Sequence, residues 1–190
     1  MRHKYATAAF VLARTPFGEA SAFIHLLTPD LGLLRARAQS VRKPGAKLAS
    51  ALQTFSETDV ILVRGKDGWR LSGAVLVRSW FPELSKPARL RAGRTAGLLL
   101  RLLHGESVDP IFFAIFSQFL TVLPHIHDAA QEDAAECLAA LRILHAAGVD
   151  AGEIPGGLEG AYTPDLLQEL TNDRSEYILR INRSIVASGL

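Results

Sequence analysis

The hydrophobic period of this 190-residue chain changes near Pro82, from the two-residue alternation of strands to the 3.6-residue repeat of helices. A pattern that buries one face of a strand scatters its apolar groups around a helix, so the switch predicts two kinds of architecture in one chain. Ahead of it, residues 4–13, 21–28, 33–41, 55–63 and 69–79 read as five strands. Thr15-Pro16-Phe17-Gly18 and Pro29-Asp30-Leu31-Gly32 are turn signals, and Asp67-Gly68 marks a hairpin. In the third strand Leu34, Ala36, Ala38 and Ser40 share one face, while Arg35, Arg37 and Gln39 share the other. Residues 42–55 read as a loop followed by a short helix. Five short strands with a helix between the third and fourth predict the small OB barrel.

Beyond Pro82 the pattern is helical. Ser85 ahead of Pro87 caps a first helix to about residue 103, with Leu90, Ala96, Leu99 and Leu103 inward. Asp109-Pro110 starts a second, apolar around most of its circumference, that ends before Pro124. A third runs over 129–147 with Ala134, Leu138, Leu141 and Leu144 inward, and 148–160 is a Gly-rich loop. Thr163-Pro164 opens a fourth, and Asp173 with Glu176 predicts a capping box on a fifth. The expected fold is α+β in two domains: an OB-fold β-barrel over 1–80 and an all-α helical domain over 81–190.

A hydrophobic fraction of 48% with 21% charged residues belongs to a folded globular protein. The single Cys137 excludes an internal disulfide and a multi-cysteine zinc ribbon, in keeping with a reducing cytoplasm. No sustained apolar core precedes Arg14, so no signal peptide is expected. The most apolar stretches are cut by Arg101 and by Ser117-Gln118, short of the about 20 apolar residues of a membrane helix. There is no GxxxxGK[ST] loop, nucleophile elbow or HExxH, so neither an enzyme nor a small-molecule cofactor is expected. His125, His127 and Asp128 fit a helix boundary better than a metal site, and Cys137 fits core packing.

Charge is distributed unevenly. Residues 1–94 hold 16 Lys and Arg against 6 Asp and Glu, whereas 95–190 hold 5 against 13. Between Asp30 and Glu57 lie Arg35, Arg37, Arg42, Lys43 and Lys47 without one acidic residue. Such polarity points to a polyanion on the basic half, with a solvated basic face as the plainer alternative. Arg35 and Arg37 are two strand residues apart, about 6–7 Å, close to the spacing of phosphates in a stretched single strand. Arg42, Lys43 and Lys47 extend that track, and Arg14, Arg64, Lys66 and Arg70 form a second tier. Guanidinium groups suit bidentate phosphate contacts and ammonium groups act as point charges. Phe17 and Trp69 are the candidates for stacking on bases, while Tyr5, Phe10, Phe23 and Phe55 are expected in the core.

In order along the chain, Tyr5-Ala6-Thr7-Ala8-Ala9-Phe10-Val11-Leu12, Phe17-Gly18-Glu19, Leu26-Leu27-Thr28-Pro29-Asp30-Leu31-Gly32, Val41-Arg42-Lys43-Pro44-Gly45-Ala46-Lys47-Leu48 and Leu52-Gln53-Thr54-Phe55 resemble the RecO family of bacterial recombination mediators. Ala140-Leu141-Arg142-Ile143-Leu144 and Ile181-Asn182-Arg183-Ser184-Ile185 are weaker echoes. The resemblance implies an OB domain that binds single- and double-stranded DNA and anneals complementary strands in DNA repair. It also implies partnership with RecR and with the C-terminal tail of single-stranded DNA-binding protein, in a bacterial cytoplasm near the nucleoid. Three features depart from the family: Gln39 where a lysine is usual, a shorter chain, and a Gly-rich loop in place of the four-cysteine zinc module of some members. Two other functions stay open on the residues alone. One is an adaptor for an acidic peptide tail, with Arg89, Arg91, Arg94 and Arg101 beside an apolar helical groove; the other is an RNA-binding OB module.

Overall fold

The computed structural model describes residues 3–41, 48–103, 105 and 108–189. Its contacts divide the chain into two compact units, Met1–Glu83 with His104–Phe113, and Leu84–Leu103 with Ala114–Leu190.

In the first unit, β1 (Lys4–Phe17), β2 (Ser21–Thr28), β3 (Gly32–Ala38), β4 (Ser56–Gly65) and β5 (Gly68–Ser79) close into a barrel in the order β1-β2-β3-β5-β4. Every pairing is antiparallel except β3 with β5, which run parallel and match Ala36 to Trp69 and Arg37 to Arg70. This is the five-stranded OB fold. Register shifts between Val11 and Ala13 on β1, and at two points of the β4–β5 ladder, add the local twist that closure of so few strands requires. Alternation then fills the interior with Ala9, Val11, Ile24, Leu26, Leu34, Ala36, Val60 and Leu62, and Leu52 closes the core.

Several local expectations are corrected. The first turn lies later than Thr15-Pro16, because Thr15, Pro16 and Phe17 pair with Phe23, Ala22 and Ser21; the chain turns only at Gly18, whose φ of 61° suits glycine. The third strand stops at Ala38, ahead of Ser40 with φ 57°. In place of a short helix, residues 48–55 form successive turns that end with the Phe55 amide donating to the Val11 carbonyl at 2.9 Å. Tyr5 is not interior but 38% exposed, edge-on to Trp69 with ring centroids 5.1 Å apart. Phe23 faces outward because β2 turns Ala22, Ile24 and Leu26 into the barrel.

The second unit carries α1 (Lys86–Leu102), the later part of α2 (Pro110–Val122), a 3-10 turn at Leu123–His125, α3 (Ala129–Ala146), α4 (Pro164–Asn172) and α5 (Arg174–Ala187). The side chains of Ser85, Asp128 and Thr163 cap α1, α3 and α4 by accepting from the amides of Ala88, Gln131 and Leu166. Asp173 makes no such bond, so the capping box expected on α5 is absent. Leu90, read as inward, is 60% exposed, whereas Ala96 and Leu99 are buried. α3 is the centre of the unit and packs on α1, α4 and α5. Its Arg142 is fully buried: Nε donates to the Gly157 carbonyl at 2.9 Å and the guanidinium lies 4.7 Å from the centre of the Tyr162 ring. Burial raises that phenol to about 12. Arg180 of α5 holds the other part of the Gly-rich loop, pairing with Asp150 and donating to the Glu153 carbonyl at 2.7 Å. No helix among the described residues is long and apolar enough to cross a membrane.

Candidate nucleic-acid interface

The strand pattern that sends small aliphatic groups into the barrel sends a different set outward on β1, β2 and β3. The register matches Ala13, Thr15 and Phe17 of β1 to His25, Phe23 and Ser21 of β2, and matches His25 and Phe23 to Arg35 and Arg37 of β3. Across this lattice the Arg35 guanidinium lies 4.0 Å from the centre of the Phe23 ring, and that of Arg37 lies 4.7 Å from Phe17. The two rings are themselves 4.8 Å apart at a tilt of 57°. Arg35, Phe23, Phe17 and Arg37 therefore form one connected ladder across three strands. Arg37 is half-buried, and its buried Nε has no hydrogen-bond partner among the described residues.

The parallel β3–β5 step continues the track, because Arg37 lies directly opposite Arg70. Like charges facing each other across a ladder destabilise a sheet unless an anion lies between them. Gln39 accepts from the Arg70 Nη2 at 3.4 Å and so steadies that side chain. Past Arg70, the β4–β5 hairpin forms a concavity of about 430 Å³ lined by Val63, Arg64, Lys66, Asp67 and Arg70. Arg64 lies 5.2 Å from the Trp69 ring centre. Trp69 itself is only 7% exposed and belongs to the barrel core, so its face is not open to a base. Phe17 is 42% exposed. Arg14, at the far end of β1, donates to Gln53 at 2.9 Å. Arg42, Lys43 and Lys47 lie outside the described residues.

What sets the centre of this surface apart is that its arginines lack carboxylate partners: among the described residues Arg14, Arg35, Arg37 and Arg70 have none. Four arginines of the helical unit are, by contrast, paired with carboxylates, while Arg142 is buried on a carbonyl and a ring and Arg101 is exposed. Arg91 pairs with Glu132 at 2.9 Å and Asp133 at 2.6 Å, Arg94 forks onto Glu136, Arg174 reaches Asp133 at 3.2 Å, and Arg180 pairs with Asp150. Cations left without partners, on a face that also positions them by stacking, are arranged for an external anion.

His25 belongs to the same face and was not singled out by the sequence; only the register reveals it. Partial burial, aided by the facing Arg35 charge, holds its imidazole below the usual range. Phe23 was equally hidden, since nothing local distinguishes an outward Phe on β2 from an inward one.

Of the four arginines assigned to a peptide groove, Arg91 is buried and engaged by α3, and Arg94 is forked onto Glu136. Arg101 is exposed and lines a groove of about 650 Å³ with Leu98, Leu100, Ala140, Ile181 and Ile185. Arg89, half-buried, does not line that groove. An adjoining pocket of about 300 Å³ includes Cys137, so this thiol lines a cleft as well as packing between helices; desolvation pushes it up to about 11. Among the described residues no cluster of three or more His, Cys, Asp or Glu could hold a metal, and Asp128 is spent as the cap of α3.

Residues 1–80 match the family model described as Recombination protein O N terminal. Among curated proteins, the DNA repair protein RecO of Dehalococcoides mccartyi is 33% identical over 133 residues, 69% of this chain and 51% of that one. Its namesake from Synechococcus elongatus is 38% identical over 124 residues, 63% of this chain and 46% of that one. The namesake from Heliobacterium modesticaldum is 28% identical over 175 residues, 85% and 62%. The chain thus spans about half the length of the first two relatives.

Proposed function

The chain belongs to the RecO family, and from that premise we propose that it acts in DNA repair and recombination as a DNA-binding mediator. In this reading the barrel binds single- and double-stranded DNA through phosphates, with Arg35, Arg37 and Arg70 as its centre and Arg14, Arg64 and Lys66 flanking them. The observation that supports it is the row of Arg35, Arg37 and Arg70, which have no carboxylate partner among the described residues, against Arg91, Arg94, Arg174 and Arg180, which are paired. Each phosphate neutralised releases counterions, so affinity depends steeply on salt and hardly on sequence. Screening the repulsion between two strands promotes their annealing. By family resemblance, RecR and the tail of single-stranded DNA-binding protein are its partners in loading a recombinase onto coated strands. The work proposed is binding and annealing rather than catalysis.

A strand-annealing assay tests it: two complementary labelled oligonucleotides with wild type and an Arg35→Ala/Arg37→Ala/Arg70→Ala variant. Acceleration by wild type that the variant loses supports the reading; equal acceleration by both contradicts it. An equal-sequence RNA competitor in the binding assay separates a DNA mediator from an RNA-binding OB module.

A second reading is favoured by one observation, the apolar groove of Leu98, Leu100, Ile181 and Ile185 with the exposed Arg101 at its wall. This combination suits a short acidic peptide with an apolar end. Titration of such a peptide against wild type and Arg101→Ala tests it, with a loss of affinity expected in the variant.

A further inference from the structure

The aromatic pair on the outer face of β1 and β2 invites assignment as a base-stacking platform, the usual employment of exposed rings in a strand-binding barrel. The geometry argues otherwise. Phe23 already carries the Arg35 guanidinium at 4.0 Å, and Phe17 carries that of Arg37 at 4.7 Å. The remaining approach between the rings is taken by their mutual contact at 4.8 Å. On the ring faces so occupied, a base could stack only after displacing a guanidinium, exchanging one favourable contact for another while releasing the cation that holds its phosphate.

We infer that Phe17 and Phe23 are seats for Arg35 and Arg37, and that the barrel face reads the sugar-phosphate backbone without engaging bases. The inference rests on the DNA-binding reading above and deepens it. A guanidinium lying on a ring keeps N–H groups at the edges of its plane, and with the Arg37 Nε buried its two Nη groups remain for a bidentate phosphate contact. The seat removes rotamer freedom before the ligand arrives, so less is lost on binding. The two-ring spacer also places the like charges of a strand's i and i+2 positions at opposite ends of an apolar pair. The rings are positioning residues that act through the arginines. A functional consequence follows: bases not stacked on the protein remain free to pair with a complementary strand, as annealing requires.

The test compares two single-stranded 30-mers of equal phosphate count, oligo-dT and a strand of abasic sites, by fluorescence anisotropy at one low salt concentration. The proteins are wild type and the Phe17→Leu/Phe23→Leu variant, which keeps apolar bulk without a ring face. Wild type should bind both strands with similar affinity. The variant should lose roughly 5- to 20-fold on both alike, the scale of two exposed cation–π contacts. An Arg35→Lys/Arg37→Lys variant, which keeps both rings and both charges, should show a comparable loss on both strands, since an ammonium makes no flat, forked contact. A loss confined to the base-bearing strand would overturn the inference in favour of base stacking, and leave phosphate binding standing. Unchanged affinity in the Leu and Lys variants would overturn it too. Absence of wild-type binding to either strand would instead overturn the DNA-binding reading itself.

Discussion

Replacing Arg91 by Met removes a cation held almost wholly inside the helical unit. Its side chain is 10% exposed and that of its partner Glu132 is 9% exposed, with Nη1 and Oε2 2.9 Å apart. The same guanidinium contacts Asp133 through Nη2 at 2.6 Å and Nε at 3.1 Å, and donates to the Ala129 carbonyl at 3.3 Å. Methionine fills much of the volume but leaves a desolvated carboxylate without compensation, which costs about 3–5 kcal/mol. One helical turn away Arg94 forks onto Glu136, and here the arginine side chain is 60% exposed and that of the glutamate 18%. The Arg94 charge is already largely solvated and the Glu136 carboxylate retains more contact with water than Glu132, so Arg94→Met should cost less, about 1 kcal/mol. The same two helices and the same substitution are compared, and the pairs differ in burial and in the number of partners, two carboxylates and a carbonyl for Arg91 against one carboxylate for Arg94. Equilibrium urea unfolding followed by far-ultraviolet circular dichroism reads both differences. Equal losses, or a loss at Arg91 below about 1 kcal/mol, would refute the claim that desolvation sets the magnitude. The result bears on function as well, because a peptide-binding defect in an Arg91 variant would report unfolding rather than a lost contact.

Three further outcomes follow from named groups. The Asp150 carboxyl is held low, chiefly by its hydrogen bond to Arg180 and secondarily by the Arg180 charge and Ser184. It therefore contributes stability above the ordinary aspartate range that is lost as pH falls through its folded value; Asp150→Asn should cost about 1–3 kcal/mol at neutral pH and flatten the acid limb of a stability–pH curve. For His25 the folded pKa is lowered, so the fold favours the neutral ring and loses stability as pH drops below 6.5; NMR titration should show Arg35→Gln raising it only part of the way, since burial is the larger cause. Cys137, pushed up to about 11, should react with an aromatic disulfide at pH 8 roughly tenfold or more slowly than a free thiol, its scarce thiolate partly offset by higher nucleophilicity.

The elements legible in the sequence are those whose signals are local. Asp67-Gly68 set the β4–β5 hairpin, and Ser85, Asp128 and Thr163 cap helices where a short polar side chain precedes an amphipathic run. Alternation placed Arg35 and Arg37 on one outer face of β3. What stayed hidden depends on neighbours distant in sequence. Phe23 and Trp69 are both aromatic residues in strands, and only the register and barrel closure decide that the first is half-exposed and the second is core. Leu90 fits the apolar repeat of α1 yet stays 60% exposed among the described residues, since α1 is covered mainly along the stripe that meets α3. Arg91 reads as a surface cation from composition, and becomes structural because Glu132 and Asp133 lie 41 and 42 residues away in sequence but in contact. Periodicity reports which residues share a face; it does not report what covers that face.

The measurement closest to the central claim is a salt series of single-stranded 30-mer binding for wild type and Arg35→Ala/Arg37→Ala/Arg70→Ala. The account predicts wild-type affinity that falls linearly on a log–log plot, and a slope shallower by about 0.7 for each phosphate contact removed, close to 2 in all. Parallel lines for the two proteins, or no wild-type binding at low salt, would contradict the assignment of the barrel face to phosphates.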